Sequence, residues 1–285
     1  MFAAYAPALV DYIHMIETFP ERGGHAIVKS TIKMPGGAGA NVAHNLAIVG
    51  INAELFTTLG RDEDAEFFIK NTCAKVRAEI TDEKTGKVDV FVDREGERTF
   101  FVYPNAAAKP FIEVERRHYI YLDPFPSEFS FELQMKVARE YRDEVVILNP
   151  GFPYVSLGFE RLKNLIELTK ILFLSEAEYR LLGVDVRSLL NLTECVVITR
   201  GAKGSSCYTR MGEWHEEGIK ARVIDTTGAG DAFAAGFIFG IINGYSPDVC
   251  LKLGNFCGAY NVERIGARNF PSSEEIDDFL ARVLR

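Results

Sequence analysis

Tryptophan is almost missing from this 285-residue chain, with a single residue, and methionine and cysteine are scarce at five each. The cysteines (Cys73, Cys195, Cys207, Cys250, Cys257) are scattered, odd in number and form no Cys-x-x-Cys pair. A disulfide framework or thiolate metal site is therefore not indicated, and reduced core thiols in a cytoplasmic protein are expected. The five histidines lack metal-ligand spacing, so none is assigned a catalytic role. No block of Lys and Arg exceeds two or three residues, and the net charge is −8. A nucleic-acid groove is not indicated. The most apolar window, Phe233 to Ile242, is too short to span a bilayer, and the apolar start of the chain lacks a basic n-region. That start reads as a first strand, not a signal peptide. A Gly-x₄-Gly-Lys-Ser/Thr phosphate loop is also missing, since Gly201-Ala-Lys-Gly-Ser205 has the wrong spacing.

What is present is a hydrophobic fraction of 47% and an alternation of strand-like and helical runs. The best strand candidates are Phe2–Val10, Ala53–Leu59, His118–Leu122, Val145–Asn149, Ile171–Leu174 and Val196–Thr199. Helical spacing occurs at Ala40–Val49, Asp64–Lys75, Phe131–Tyr141, Phe159–Thr169 and Glu176–Leu182, then at Gly230–Ile242, Pro247–Val262 and Ser273–Leu284. This order points to an α/β fold with a parallel sheet covered by helices. Two segments break the rhythm. Tyr12–Lys33 is extended and mixed, and Lys87–Tyr103 alternates around a turn at Arg94–Glu97, a hairpin signal. Both read as a small β-rich lid on one domain spanning 1–285, with edge strands of the main sheet as the alternative.

The most informative stretch is Val223–Phe237, which couples Asp225 and Asp231 to a small-residue turn, Gly228-Ala229-Gly230, at a helix start. Unpaired N–H groups and the macrodipole there favour an anion, and a turn without bulky side chains lets a phosphate approach closely. Asp231 would sit beside that anion, where a general base for a hydroxyl nucleophile is needed. The combination suggests phosphoryl transfer. A second glycine cluster, Pro35-Gly-Gly-Ala-Gly-Ala-Asn41, is weak alone, because Val42 stands where a dinucleotide fingerprint needs its third glycine.

Together, Gly36-Gly-Ala-Gly-Ala-Asn41 and Asp225-Thr-Thr-Gly-Ala-Gly-Asp231, in this order and this far apart, resemble the ribokinase-like (phosphofructokinase-B type) carbohydrate kinases over nearly the whole chain. The resemblance implies a three-layer α/β/α sandwich with a mainly parallel sheet, a lid at about 12–33 and 87–103, and an ATP-dependent kinase acting on a hydroxymethyl group of a small sugar. It makes Asp231 the general base and the backbone of Gly228, Ala229 and Gly230 the anion hole. Asp11, Gly36, Gly37 and Asn41 would meet the acceptor, and lid aromatics would add apolar contacts. Thr199, Gly201, Gly204, Asn255, Gly228 and Gly230 would meet the nucleotide. Glu178 would organise Mg²⁺ through water, although Ser175 replaces the family's Asn, and Ser175 with Glu178 also reads as a helix capping box. Asp225, Thr227, Arg264 and Gly266 match a monovalent-cation loop that in the family takes K⁺.

Two departures bear on the acceptor: Leu9 stands where Asn is frequent and Ala38 where Lys is frequent. Each removes a polar contact, which keeps a nucleoside kinase with the same machinery as the alternative. A non-catalytic ligand sensor on the same fold is the remote one, since it would require loss of the base or anion hole. An exposed hairpin of this size rarely stands alone, so a homodimer through the lid is expected, with no membrane partner.

Overall fold

The computed structural model describes residues 1–109, 115, 117–124 and 127–284. Its first half runs β1 (Phe2–Tyr5), β2 (Leu9–Ile16), β3 (Val28–Gly36), α1 (Ala38–Ile48), β4 (Ala53–Gly60), α2 (Glu63–Lys70), β5 (Lys75–Thr81), β6 (Gly86–Val92) and β7 (Arg98–Tyr103). The middle follows with β8 (Tyr119–Leu122), α3 (Glu128–Glu140), β9 (Val145–Leu148), α4 (Gly151–Val155), α5 (Phe159–Ile166), β10 (Ile171–Ser175), α6 (Glu176–Leu182) and α7 (Val186–Leu190). The last third is β11 (Cys195–Thr199), β12 (Ser205–Thr209), β13 (Gly212–Glu216), α8 (Ala229–Ile242), α9 (Pro247–Val262) and α10 (Ser273–Val283).

Nine strands form the central sheet in the order β13-β12-β11-β10-β9-β8-β1-β4-β5. All neighbours are parallel except at the β11–β12–β13 edge, where a hairpin turns back. Period-two alternation splits each core strand between two helical layers. Phe2 and Ala4 face α1, α8 and α9, whereas Ala3 and Tyr5 face α3 to α7. The expected three-layer α/β/α architecture is what the chain adopts.

The sequence reading needs three corrections here. Phe2–Val10 is not one strand: it breaks at Ala6-Pro7-Ala8, where Pro7 cannot donate to a ladder, and its second half enters the small sheet. The run Asp64–Lys75 stops being helical at Lys70, and Lys75–Thr81 pairs in parallel with β4 as a further strand. The β12–β13 hairpin was not anticipated. Its short strands mix polar residues with apolar ones because the edge of the sheet is half solvated.

The small sheet is separate from the central one, ordered β3-β2-β6-β7, with β2 and β6 parallel and the other pairs antiparallel. Register puts Asp11 opposite Val88 and Val88 opposite Val102. Arg98, Phe100 and Val102 thus share a face with Asp11, while Phe101 and Tyr103 lie on the other. The lid's apolar residues on the Asp11 side are therefore Phe100 and Val102, not Phe101 and Tyr103.

Close packing of α8 on α9 fixes the start of α8. A side chain on Gly236 would lie 2.7 Å from the Leu253 carbonyl oxygen and 2.8 Å from Cys257 Sγ. Phe237 packs edge-on against Phe173 of β10, with centroids 5.4 Å apart. Gly236→Val is expected to destabilise the protein by about 1–3 kcal/mol through overpacking, read as a lower midpoint in urea unfolding. An unchanged midpoint would show that α8 and α9 can separate freely.

Candidate active site

The strand order reverses about β1, whose neighbours are β4 on one side and β8 on the other. A crevice outside the carboxyl ends of the strands is the expected ligand site of such a sheet. A cavity of about 400 Å³ lies there, and Pro7, Asp123, Asn149, Ser175 and Thr199, each at or just beyond the end of a different strand, contribute to its wall. Gly37, Glu178, Gly230 and Asp231 line it as well.

The first glycine cluster is explained by contact. Gly37 has φ +95°, and a side chain there would overlap the Pro7 carbonyl oxygen. A side chain on Gly36 would lie 2.5 Å from both carboxylate oxygens of Asp11. The small residues therefore let the α1 N-terminus press against the β1–β2 connection and leave room for Asp11. That carboxylate accepts no side-chain hydrogen bond among the described residues. Burial raises its pKa to about 6, with Arg268 opposing and Asp231 adding to the rise.

Asp231 occupies the first turn of α8, which follows Gly228 in the left-handed conformation with φ +75°. Gly228 packs against Ala267, whereas the space beside Gly230 is open. Of the three N–H groups read as an anion hole, that of Ala229 already donates to Thr226 O at 3.3 Å. Burial raises Asp231 to about 6, opposed by a hydrogen bond from Asn41 and by the charge of Arg268. Asn41 Nδ2 donates to Asp231 Oδ2 at 2.8 Å, and Asn41 Oδ1 accepts from Arg268 Nε at 2.9 Å. Asn41 is 3% exposed. Its amide orients the Asp231 carboxylate, and beyond these two bonds it keeps a second N–H and a second lone pair with which to meet an acceptor hydroxyl.

A second cavity, of about 620 Å³, meets the first at Thr199, Gly230 and Phe233. Gly201 and Gly204 line it, together with the 218–223 segment and the Asn255, Gly258, Ala259 and Val262 face of α9. Asn255 is bonded within the protein as well. Its Oδ1 accepts from Ser205 Oγ at 3.0 Å and its Nδ2 donates to Glu217 O at 3.0 Å. The side chain fixes the loop after β13 while lining the cavity. Gly204 and Gly218 serve the same closure, their backbones packing against Glu216 and Ala202.

Glu178 completes the capping box of α6 with Ser175: its Oε2 accepts from Ser175 N at 2.7 Å, and Ser175 Oγ accepts from Glu178 N at 3.2 Å. It still lines the first cavity. Among the described residues no group of three His, Cys, Asp or Glu could hold a metal directly. Asp225 accepts from Thr227 N and from Arg98 Nη2 on Oδ1 (2.9 and 2.7 Å) and from Gly266 N on Oδ2 at 2.9 Å. Burial opposes its charge, but these donors outweigh it and hold its pKa below the usual carboxylate range.

Sequence reasoning missed Asp123, Arg268 and Arg98. Asp123 directly follows β8 as a strand-end carboxylate, so a signal existed. Arg268 lies in a loop before α10 and nothing local marks it. Asp123 accepts from Gly39 N at 2.9 Å, and burial raises its pKa to about 8, with Asp231 and Glu178 adding to the rise.

These features define a phosphotransferase with an alcohol group as acceptor, and the chain belongs to the pfkB family of carbohydrate kinases, whose model matches residues 2–275. It is 29% identical to a nucleoside kinase of Methanocaldococcus jannaschii, covering 96% of this chain and 94% of that one. The crystal structure of a Methanocaldococcus jannaschii nucleoside kinase superposes with a TM-score of 0.88 at 28% identity, over 99% of this chain and 98% of that one. An ATP-dependent ribose-1-phosphate kinase of Halopiger xanaduensis is 27% identical over 95% of each chain. A ribokinase structure from Thermotoga maritima, at 23% identity, shares the fold with a TM-score of 0.88, over 98% of this chain and 99% of that one. No helix among the described residues is long and apolar enough to cross a membrane.

The crowded carboxylates make ligand-free stability depend on pH. A carboxyl whose pKa is higher folded than unfolded favours folding below its unfolded pKa, and that contribution is lost as pH rises through the folded pKa. For Asp123 this window runs from roughly 4 to about 8. Asp123→Asn is expected to raise urea stability by on the order of a few kcal/mol at pH 8 and by less at pH 5. A difference independent of pH would contradict a charge effect.

Proposed function

We propose that the protein is an ATP-dependent kinase that transfers the γ-phosphoryl group to a hydroxymethyl group of a small sugar, folded as one domain carrying the lid. The observation that carries this is the meeting of the two cavities at Gly230, where the space beside its backbone is open and Asp231 stands one residue on. The acceptor reaches Asp11, whose carboxylate Gly36 leaves unobstructed, from the first cavity, which Gly37 and Asp231 line, and the nucleotide occupies the cavity between Thr199–Gly204 and α9. Asp231 is the general base. Its pKa of about 6 keeps it mostly ionised at pH 7 yet close to the working pH, where a base is most effective. It takes the hydroxyl proton as the oxygen attacks the γ-phosphorus and ADP leaves. N–H groups of the Gly228–Gly230 turn offset the charge on the transferring group. Glu178 fits Mg²⁺, because one of its oxygens is spent on the cap and the residue still reaches the cavity. The ion would be held through water and would screen the phosphate charges.

A specific observation favours the ribose of a nucleoside as the acceptor sugar. Leu9 and Ala38 line the first cavity beside Pro7, Pro124 and Phe173, an apolar wall suited to a base. Coupled ADP release over ribose, fructose, 2-keto-3-deoxygluconate, adenosine, inosine and cytidine tests both readings. Activity confined to nucleosides selects the second, and silence with all six rejects the kinase reading in favour of a sensor. With an active acceptor, Asp231→Asn should lower kcat by about 10² or more while thermal stability is kept.

A homodimer through the lid belongs to this reading. Strand β7 is an open edge, and Phe100, Phe101, Val102 and Tyr103 on it are 58, 51, 53 and 46% exposed. An edge of this kind invites a second copy. Light scattering at micromolar concentration should give twice the chain mass; the mass of one chain would exclude the dimer.

A further inference from the structure

Arg98 begins β7 on the lid, yet its guanidinium ends in the turn that leads to α8. Nη2 donates to Asp225 Oδ1 at 2.7 Å and Nη1 to Thr227 Oγ1, with the Asp225 side chain 10% exposed. These partners stand 127 and 129 residues away in sequence. The neighbouring oxygens are engaged too. Asn261 is 0% exposed and donates through Nδ2 to Thr227 O at 2.7 Å. Asn269 Nδ2 donates to Gly266 O at 2.8 Å and to Ile265 O at 2.9 Å, and Asn261 Oδ1 accepts from Asn269 N at 3.3 Å. The backbone N–H of Thr227 also donates to Asp225 Oδ1 and that of Gly266 to Oδ2.

This environment does not fit a monovalent cation. An ion bound to these oxygens would have to stand against the positive Arg98 guanidinium, which already holds Asp225 Oδ1 and Thr227 Oγ1, and would compete with two side-chain amides for the Thr227, Ile265 and Gly266 carbonyls. A charged carboxylate this close to an anion hole would also repel an incoming phosphate, unless a positive charge stood beside it. Arg98 supplies that charge, and a fixed, planar fork does so with a set geometry that a hydrated ion lacks. Because the charge arrives from the lid, the turn is neutralised only while the lid lies against it.

We propose that Arg98 is a positioning residue for the anion hole, and that Arg98, Asn261 and Asn269 together stand where a monovalent cation would otherwise be needed. The assembly ties acceptor to donor: Asp11 and Arg98 share one face of the lid, so closing the lid over an acceptor delivers the guanidinium to the turn that receives the phosphate. This rests on the kinase reading above, so the first measurement is chosen to need no turnover.

Thermal unfolding of the intact protein in KCl, NaCl and tetramethylammonium chloride at one ionic strength should give the same midpoint in all three. A K⁺-specific rise would overturn the proposal, whether or not any acceptor is found. With an active acceptor, kcat should change by less than about twofold between these salts. Arg98→Met should lower kcat about tenfold or more, with Arg98→Lys intermediate and both variants melting near the parent. Millimolar methylguanidinium should restore part of the Arg98→Met loss, which a purely structural contact would not allow. An unchanged kcat in Arg98→Met, or a loss that methylguanidinium leaves untouched, would refute the role.

Discussion

The ligand-facing end of the sheet depends on how closely the α1 N-terminus approaches the β1–β2 connection. Gly36, Gly37 and Gly39 leave no side chain between that helix start and Ala6, Pro7, Asp11 and Asp123. The approach has two consequences. It puts the Gly39 N–H on Asp123 at 2.9 Å, and it brings Asn41, further along the same first turn of the helix, to Asp231 at 2.8 Å. Residues from the front, middle and end of the chain therefore meet because three side chains are missing. Gly228 against Ala267 is the matching contact on the α8 side. Between them, the two contacts hold two helix starts over one crevice, where N–H groups can offset negative charge.

Much of the architecture was legible because buried parallel strands announce themselves as short apolar runs. Val145–Leu148, Ile171–Ser175 and Cys195–Thr199 needed only small changes of boundary. What failed was where one run served two sheets, as at Phe2–Val10, or where strands lay at an edge. The alternation of Val76, Ala78 and Ile80 in β5 is half exposed and weaker than the helical pattern before it. The β12–β13 hairpin carries serines and a histidine inside the ladder, so its pairing is not visible in hydrophobicity. For the site, backbone motifs were legible and long side chains were not. A Gly-Ala-Gly-Asp turn declares a conformation that only small residues permit, while Arg268 and Arg98 act at distances across the fold that no local pattern encodes.

Two amides show how a residue in the expected place can also organise the protein around it. Asn41 and Asn255 both lie at the cavities as the motif positions suggest, but each has its oxygen and nitrogen bonded within the protein. Asn41 serves as a link: Arg268 fixes its oxygen, which fixes its nitrogen toward Asp231. An amide held at both ends cannot flip, so one oxygen of Asp231 is occupied and the other is left for a proton. Asn255 bonds the loop after β13, and the second cavity owes part of its wall to that loop. Both amides orient a wall of the crevice.

Four acidic groups, Asp11, Asp123, Glu178 and Asp231, crowd one crevice, and Arg268 is the cation whose charge reaches both Asp11 and Asp231. Their mutual repulsion and burial work against the empty enzyme. Each ligand of the proposed reaction relieves part of it. Acceptor hydroxyls donate to Asp11, and a hydroxyl proton moves to Asp231. In the proposed closed state the lid holds Arg98 on Asp225, a carboxylate outside that group of four. Keeping that charge on the small sheet, away from Asp231, separates two needs of the proposed reaction: the base must stay able to take a proton, and the phosphate site must stay free of repulsion. A cation placed between Asp225 and Asp231 would serve the second need by lowering the basicity of Asp231. Arg98, bonded to Asp225 and Thr227 alone among these groups, serves it without that cost.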